Sequence, residues 1–155
     1  MTWLAPIRAR ILPWDWLIAF AVLAGTLVTS VVAECAWAYG VAYSATKAVQ
    51  LGLVRSLAVE LAPWGIVVNA VGPGIVDVES RTLEQTRDRD GGHARALSRT
   101  PLARFADAAE VAETVHFLAT VTGMTGQTVY VDGGFLATGL GYSEAVKARL
   151  KRASG

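Results

Sequence analysis

Hydrophobic residues in the middle of the chain form short continuous runs on either side of a long stretch with helical spacing. Residues 25–33, GTLVTSVVA, are apolar and rich in β-branched side chains, and residues 65–71, GIVVNAV, form a second run. Apolar runs of this length, bounded by glycine and proline, are typical of strands buried on both faces of a parallel sheet. Residues 127–134, QTVYVDGG, predict a last strand and turn.

Two helices are predicted around these strands. Between residues 41 and 61 apolar side chains recur at helical spacing, and Pro63 and Gly65 follow. The other faces of this helix are also apolar, so we expect the sheet on one side of it and a second helix, from another subunit, on the other. Asp107 and Glu110 have the spacing of a capping box and open a later helix. Alternating strands and helices predict an α/β fold with a parallel sheet.

Composition and charge exclude several classes of protein. The chain has 155 residues, of which 53% are hydrophobic and 17% charged, enough to bury the core of one domain. Its formal charge is +1 and its arginines are scattered, so no nucleic-acid partner is predicted. Cys35 is the single cysteine and there is no Cys/His spacing for zinc, which predicts no disulfide, no metal and a reducing, cytoplasmic location.

Residues 17–33, LIAFAVLAGTLVTSVVA, leave a membrane-anchored alternative open. Arg8 and Arg10 precede this run and AWA follows it, as in a signal peptide or anchor. The run is shorter than the roughly 20 residues that a bilayer-spanning helix needs. It also contains Thr26, Thr29 and Ser30, which argues against a signal peptide or membrane anchor.

Tyr43 and Lys47 place a phenol and an ammonium on one face of the predicted helix, because residues four apart lie one above the other. A neighbouring ammonium lowers the pKa of a phenol from its ordinary value of about 10. Such a pair suits general acid–base transfer of a proton at an alcohol or carbonyl oxygen. Ser30 lies thirteen residues before Tyr43, near the end of a strand where open α/β folds bind ligands, and could hold that oxygen. The alternative is a phenol packed in the core, an amine in solvent and an ordinary strand serine.

Several motifs in this order resemble the short-chain dehydrogenase/reductase family. They are Ser30, then YSATK at residues 43–47, then LAVELAPWGIVVNAVGPGIV, PLARFADAAEVAETVHFLA and TGQTVYVDGG. The resemblance runs from about residue 25 to residue 134. It implies a Rossmann-like parallel sheet with flanking helices, truncated to the C-terminal half of the doubly wound fold.

The resemblance also implies an activity and a site. Members of the family transfer a hydride between NAD or NADP and an alcohol or ketone, here an unidentified small-molecule substrate. Tyr43 would give or take the proton and also contact the cofactor. Lys47 would assist the proton transfer and bind the nicotinamide ribose, and Ser30 would bind the substrate oxygen. Three residues match the family's loop beside the nicotinamide and are predicted to bind the cofactor: Pro73, Gly74 and Val76. Residues 78–100 correspond to the substrate flap.

A glycine-rich, pyrophosphate-binding turn is not found in the sequence, and the only asparagine is Asn69, in a predicted strand. We therefore expect residues 1–155 to form a single, partial domain with a divergent apolar and helical segment at 1–24 and an extension at 135–155. A homo-oligomer through the helix at 41–62 is predicted. Two functions stay open: an NAD(P)-dependent oxidoreductase, or a non-catalytic relic or partner subunit.

Overall fold

The computed structural model of the chain describes residues 25–35, 40–77, 92–138, 142, 148–149 and 151–152. The predicted segment at 1–24 and residues 78–91 of the predicted flap lie outside these ranges, as does most of the predicted extension at 135–155. The division of the chain into these segments therefore stays a prediction.

Strands and helices alternate along the described residues. The strands are β1 (Gly25–Val28), β2 (Val68–Pro73), β3 (Val76–Asp77), β4 (Ala106–Asp107) and β5 (Thr128–Val131). The helices are α1 (Val41–Leu61), α2 (Gly92–Ser98) and α3 (Ala108–Thr120), with 3-10 helices at Val31–Ala33 and Ala62–Trp64. Three strands form a parallel sheet in the order β1-β2-β5, and β3 and β4 form a separate parallel pair. The predicted α/β fold with a parallel sheet and flanking helices is confirmed.

The centre of the sheet is β2, all six residues of which are buried. Helix α1 packs on β2 through buried Val54 and Ala58, and α3 packs on it with buried Leu118. Burial on both faces explains the continuous apolar run in this part of the sequence. The strand starts later than the predicted residue 65, because Gly65 adopts a left-handed conformation (φ 72°) that closes the turn after α1.

The first strand is shorter than the apolar run that predicted it. Pairing with β2 ends at Val28, and Ser30 then caps the 3-10 helix Val31–Ala33. The prediction of one strand over residues 25–33 was therefore wrong in its second half. Apolar composition alone does not mark this change, because the capping serine lies between β-branched residues on both sides.

The outer face of α1 is exposed in the single chain. Val41, Val49 and Val59 have 80%, 70% and 77% of their surface exposed, whereas Leu51, Val54 and Ala58 are buried on the opposite side. The expectation of an apolar helix on the sheet is confirmed, and its outer face is open to solvent in one copy. Of the predicted flap, residues 92–98 form helix α2.

None of the described helices is both long enough and apolar enough to cross a bilayer. Residues 17–24, the first part of the run considered as an anchor, lie outside the described ranges. The second part forms β1 and the start of the segment after it.

The start of α3 carries the predicted capping box. Asp107 accepts a hydrogen bond from the backbone of Ala109 (2.8 Å), and Glu110 accepts one from the Asp107 backbone (2.8 Å). Both carboxylate oxygens of Glu110 also accept hydrogen bonds from Arg104, at 2.6 and 2.8 Å. These bonds, to Arg104 first and to the Asp107 backbone second, lower the pKa of Glu110 to about 2.

Replacing Glu110 with glutamine is expected to destabilise the chain in a pH-dependent way. The folded state lowers the pKa of Glu110 from 4.5 to about 2, so its carboxylate stabilises the fold above about pH 4.5. That contribution is lost as the pH falls through 2. Urea unfolding should therefore show a larger difference between the wild type and Glu110→Gln at pH 6 than at pH 2.5. Glu113→Gln, on the exposed side of the same helix, is the matched control. An equal difference at both pH values would contradict the prediction.

Candidate active site

The candidate site lies at the carboxyl ends of β1 and β2. Thr29 directly follows β1 and donates its backbone N–H to the Val71 carbonyl of β2 (2.8 Å). Ser30 comes next and is buried. Its Oγ accepts a long hydrogen bond from the backbone N–H of Val32 (3.4 Å), and its carbonyl accepts one from Ala33 (3.0 Å). The serine predicted to hold a substrate oxygen is thus at the edge of the sheet where open α/β folds bind ligands.

Lys47 is fixed to the same strand end. Its Nζ donates a hydrogen bond to the Val28 carbonyl (2.9 Å), and its own carbonyl accepts one from the Thr29 side chain (3.1 Å). The two bonds run in opposite directions between α1 and the end of β1, so they fix both the height and the rotation of the helix against the strand. Thr29 was not among the predicted site residues. The signal that could have identified it is a buried hydroxyl next to Ser30 in an otherwise apolar run.

Tyr43 lies one turn before Lys47, as the spacing predicted. The Lys47 Nζ is 5.7 Å from the centroid of the Tyr43 ring. The ring is 54% exposed, which leaves the phenol open to a ligand and excludes the alternative of a phenol buried in the core. An ammonium has three N–H donors, and the bond to Val28 uses one of them. A phenol and an ammonium placed together in this way can exchange a proton with, and donate hydrogen bonds to, the hydroxyl groups of a bound molecule.

The predicted cofactor-loop residues follow the neighbouring strand. Pro73 ends β2, and Gly74 donates its backbone N–H to the Val131 carbonyl of β5 (3.0 Å). A Cβ on Gly74 would lie 3.0 Å from Cα of Asp132, so only glycine passes between the strand ends without displacing backbone. Val76 belongs to β3, where it pairs with Ala106. The segment that contains these three residues therefore begins at the same edge of the sheet as Ser30, at the end of the neighbouring strand β2.

Asp132 shapes the turn after β5 beside this loop. Its two carboxylate oxygens accept hydrogen bonds from the backbone N–H groups of Gly134 and Leu136, both at 2.8 Å. Gly133 and Gly134 have φ values of 61° and 89°, which explains the two glycines of the VDGG motif. The sequence predicted a turn here but not the structural role of the aspartate.

Asn69 has a structural role in β2. It is 1% exposed, its amide nitrogen donates to the Met124 carbonyl (2.8 Å), and its amide oxygen accepts from the Gln127 backbone (3.1 Å). Both halves of the amide are therefore used to tie the loop before β5 to the central strand. This agrees with the prediction that Asn69, the only asparagine of the sequence, lies in a strand.

A further contact in this region was not predicted from the sequence. The Tyr130 hydroxyl of β5 donates a hydrogen bond to Oε1 of Glu34 (3.1 Å), which follows the 3-10 helix after Ser30. Burial first, and then the nearby Glu34 carboxylate, raise the pKa of Tyr130 to about 12. Cys35 lies next to this contact, and burial is the main cause of its raised pKa. The thiol is therefore protonated near neutral pH.

Comparisons with known proteins identify the family. A sequence profile described as enoyl-(acyl carrier protein) reductase matches residues 24–136. The 3-oxoacyl-(acyl-carrier-protein) reductase FabG of Staphylococcus aureus is 42% identical over 96 residues, which are 59% of this chain and 37% of that protein. The chain thus spans less than half the length of this relative.

Solved structures give the same result. An oxidoreductase of the short-chain dehydrogenase/reductase family from Burkholderia thailandensis superimposes with a TM-score of 0.65 and 30% identity, over 81% of this chain and 47% of that one. A small-chain dehydrogenase in complex with NADPH superimposes with a TM-score of 0.63 and 31% identity, over 72% and 50% of the two chains. The chain belongs to the short-chain dehydrogenase/reductase family, a family of oxidoreductases with a Rossmann-like fold.

Proposed function

We propose that the chain carries the proton-transfer half of an NAD(P)-dependent oxidoreductase, which moves a hydride between the cofactor and a small alcohol or ketone. The observation that carries this proposal is the double hydrogen bond between Lys47 and the end of β1, which holds Lys47, with Tyr43 beside it, at the strand end that Ser30 follows. An exposed phenol, an ammonium and a serine at one strand end are the groups that a carbonyl reduction requires.

The proposed roles follow from the position of each group. Tyr43 gives a proton to the substrate oxygen in reduction and takes it back in oxidation. Lys47 supports the Tyr43 hydroxyl and donates hydrogen bonds to the ribose of the cofactor. Ser30 donates a hydrogen bond to the substrate oxygen and orients it. The substrate class of the S. aureus relative suggests a 3-oxoacyl thioester as the first probe.

The residues present suit a nicotinamide cofactor, NAD or NADP. Lys47 supplies a cation and N–H donors suited to hydroxyl groups, and Pro73, Gly74 and Val76 supply backbone at the same sheet edge. The bound cofactor would supply the hydride, and these residues would hold its ribose and nicotinamide ring. The NADPH named for one structural neighbour supports NADP.

Two further properties belong to the same proposal. The exposed apolar residues on the outer face of α1 support a homo-oligomer through residues 41–62, since a second copy of the helix would cover them. The single free thiol of Cys35 supports a reducing, cytoplasmic location.

The alternative proposal is a non-catalytic relic or partner subunit. The hydrogen bonds between Lys47 and the end of β1 support it, because they join α1 to the sheet as a purely structural contact would. In that case the Tyr43–Lys47 pair would be left over from a catalytic ancestor, and the Lys47 hydrogen bonds would serve only to maintain the packing of α1 on β1.

A calorimetric titration of the purified chain with NADPH and NADH separates the two functions. If the site binds the cofactor, binding is saturable, and Lys47→Ala weakens it by about tenfold or more, because a hydrogen bond from a charged group is lost. Arg149→Ala, which removes an exposed cation near the end of the chain, should leave the affinity unchanged. No binding by a folded wild-type chain would overturn the oxidoreductase proposal and favour the non-catalytic partner.

A further inference from the structure

Tyr130 crosses the central strand of the sheet to reach the segment that carries Ser30. Gly72 of β2 lies opposite Tyr130 of β5 in the strand register. A Cβ on Gly72 would collide with Cδ1 and Cε1 of the Tyr130 ring. The ring therefore occupies the space that any other residue at position 72 would fill, and its hydroxyl extends to Glu34 on the β1 side.

Glu34 is joined to Ser30 by a single turn of 3-10 helix. The backbone N–H of Glu34 donates to the Val31 carbonyl (3.0 Å), and that of Ala33 donates to the Ser30 carbonyl (3.0 Å). Within the part of the chain that the structure describes, the Ser30 side chain itself accepts one long hydrogen bond, from the backbone N–H of Val32 (3.4 Å). Because this bond is weak, the orientation of the Ser30 hydroxyl depends on the position of the turn as a whole.

The surroundings of the Tyr130 hydroxyl maintain it as a hydrogen-bond donor. Its pKa is raised to about 12 by burial and by Glu34, with a smaller opposing effect of Arg55 from α1. The phenol is therefore protonated throughout the neutral and mildly alkaline range. A protonated phenol and a carboxylate form a charge-assisted hydrogen bond, which is stronger than a bond between neutral groups.

We propose that Tyr130 is a positioning residue for substrate reduction: its hydroxyl, passing over Gly72, holds Glu34 and thereby fixes the 3-10 turn that presents Ser30 to the substrate. The hydrogen bond joins residues 96 positions apart in the sequence, Tyr130 on β5 and Glu34 at the end of the 3-10 turn that follows β1. This inference rests on the proposed function for its catalytic consequence. Its structural part, the holding of the turn, can be measured without substrate.

The decisive experiment is amide hydrogen exchange of Ala33, Glu34 and Cys35 in the purified chain. Tyr130→Phe keeps the ring and removes only the hydroxyl, so the fold is retained. We expect exchange of these three amides to accelerate by about two- to tenfold, the effect of one lost hydrogen bond. Glu34→Ala should accelerate exchange equally, and the double variant should be no faster than either single one.

Two controls define the specificity of this effect. Glu34→Gln keeps an acceptor oxygen and should restore most of the protection. Glu60→Ala, which removes an exposed carboxylate from α1, should leave the three amides unchanged. If Tyr130→Phe and Glu34→Ala both leave exchange unchanged, the hydrogen bond does not hold the turn and the proposal is overturned.

A kinetic measurement tests the consequence for catalysis. With NADPH and a 3-oxoacyl thioester as substrates, Tyr130→Phe should lower kcat several-fold without changing the KM for NADPH. The decrease in kcat should be smaller for Glu34→Gln than for Glu34→Ala. A general loss of stability would not lower kcat while leaving the KM for NADPH unchanged. Accelerated amide exchange in the variants, together with a wild-type chain that does not bind NADPH, would support the role of Tyr130 in holding the turn and would overturn the proposed oxidoreductase function.

Discussion

Replacing Tyr43 with phenylalanine is expected to lower kcat for NADPH-dependent reduction of a 3-oxoacyl thioester by a factor of about 10² to 10⁴, the usual contribution of a positioned acid or base. The ring is 54% exposed, and a phenylalanine ring can keep the contact with the Lys47 Nζ, which lies 5.7 Å from the ring centroid, so the variant should fold as the wild type does. The affinity for NADPH should change little, because the Lys47 ammonium and its bond to Val28 remain. Stopped-flow or steady-state absorbance of NADPH, together with calorimetry, measures both quantities.

The control is Tyr142→Phe, which removes a phenol hydroxyl from a half-buried tyrosine near the end of the chain. It should retain wild-type kcat. A Tyr43→Phe variant with undiminished kcat would contradict the assignment of Tyr43 as the proton donor. A variant that loses NADPH binding as well would instead assign the hydroxyl mainly to cofactor binding.

Replacing Asn69 with alanine is expected to reduce the free energy of unfolding by about 2–4 kcal/mol, because two hydrogen-bonding groups lose their partner inside the protein. The Met124 carbonyl loses its donor and the Gln127 backbone N–H loses its acceptor. A loss of this size is a large fraction of the roughly 5–15 kcal/mol that stabilises a typical domain. Urea unfolding followed by circular dichroism measures it.

Gln127→Ala is the matched control, since it removes a side-chain amide from the same loop. Its Nε2 donates to the Thr125 carbonyl at 3.1 Å, but the side chain is exposed, so the expected cost is below about 0.5 kcal/mol. Equal losses in the two variants would show that Asn69 does not tie the loop to β2 in the way described.

Much of the fold could be predicted because its signals are local. The helix at 41–61 follows from spacing within a few turns, and the start of α3 follows from Asp107 and Glu110 alone. The Tyr43–Lys47 pair belongs to the same class, since a separation of four residues on a helix determines their proximity. These predictions needed no knowledge of where other strands lie.

The remaining features depend on contacts between distant parts of the chain. The end of β1 at Val28 is set by its pairing with β2 and by the cap at Ser30, not by a change in hydrophobicity. The role of Thr29 appears only when the Lys47 carbonyl is brought beside it. The contact of Tyr130 with Glu34 requires the complete strand order, which no local pattern specifies.

The close approach of Gly72 and Tyr130 has an evolutionary consequence. The two positions share one volume, so a change at either alters what the other can accept. A homologue with alanine or a larger residue at the position of Gly72 should carry a side chain at position 130 that leaves this space free, and should fix its Ser30 turn by other means. Paired substitutions at these two sites, compared across the family, would show how often the hydrogen bond between Tyr130 and Glu34 was gained or lost.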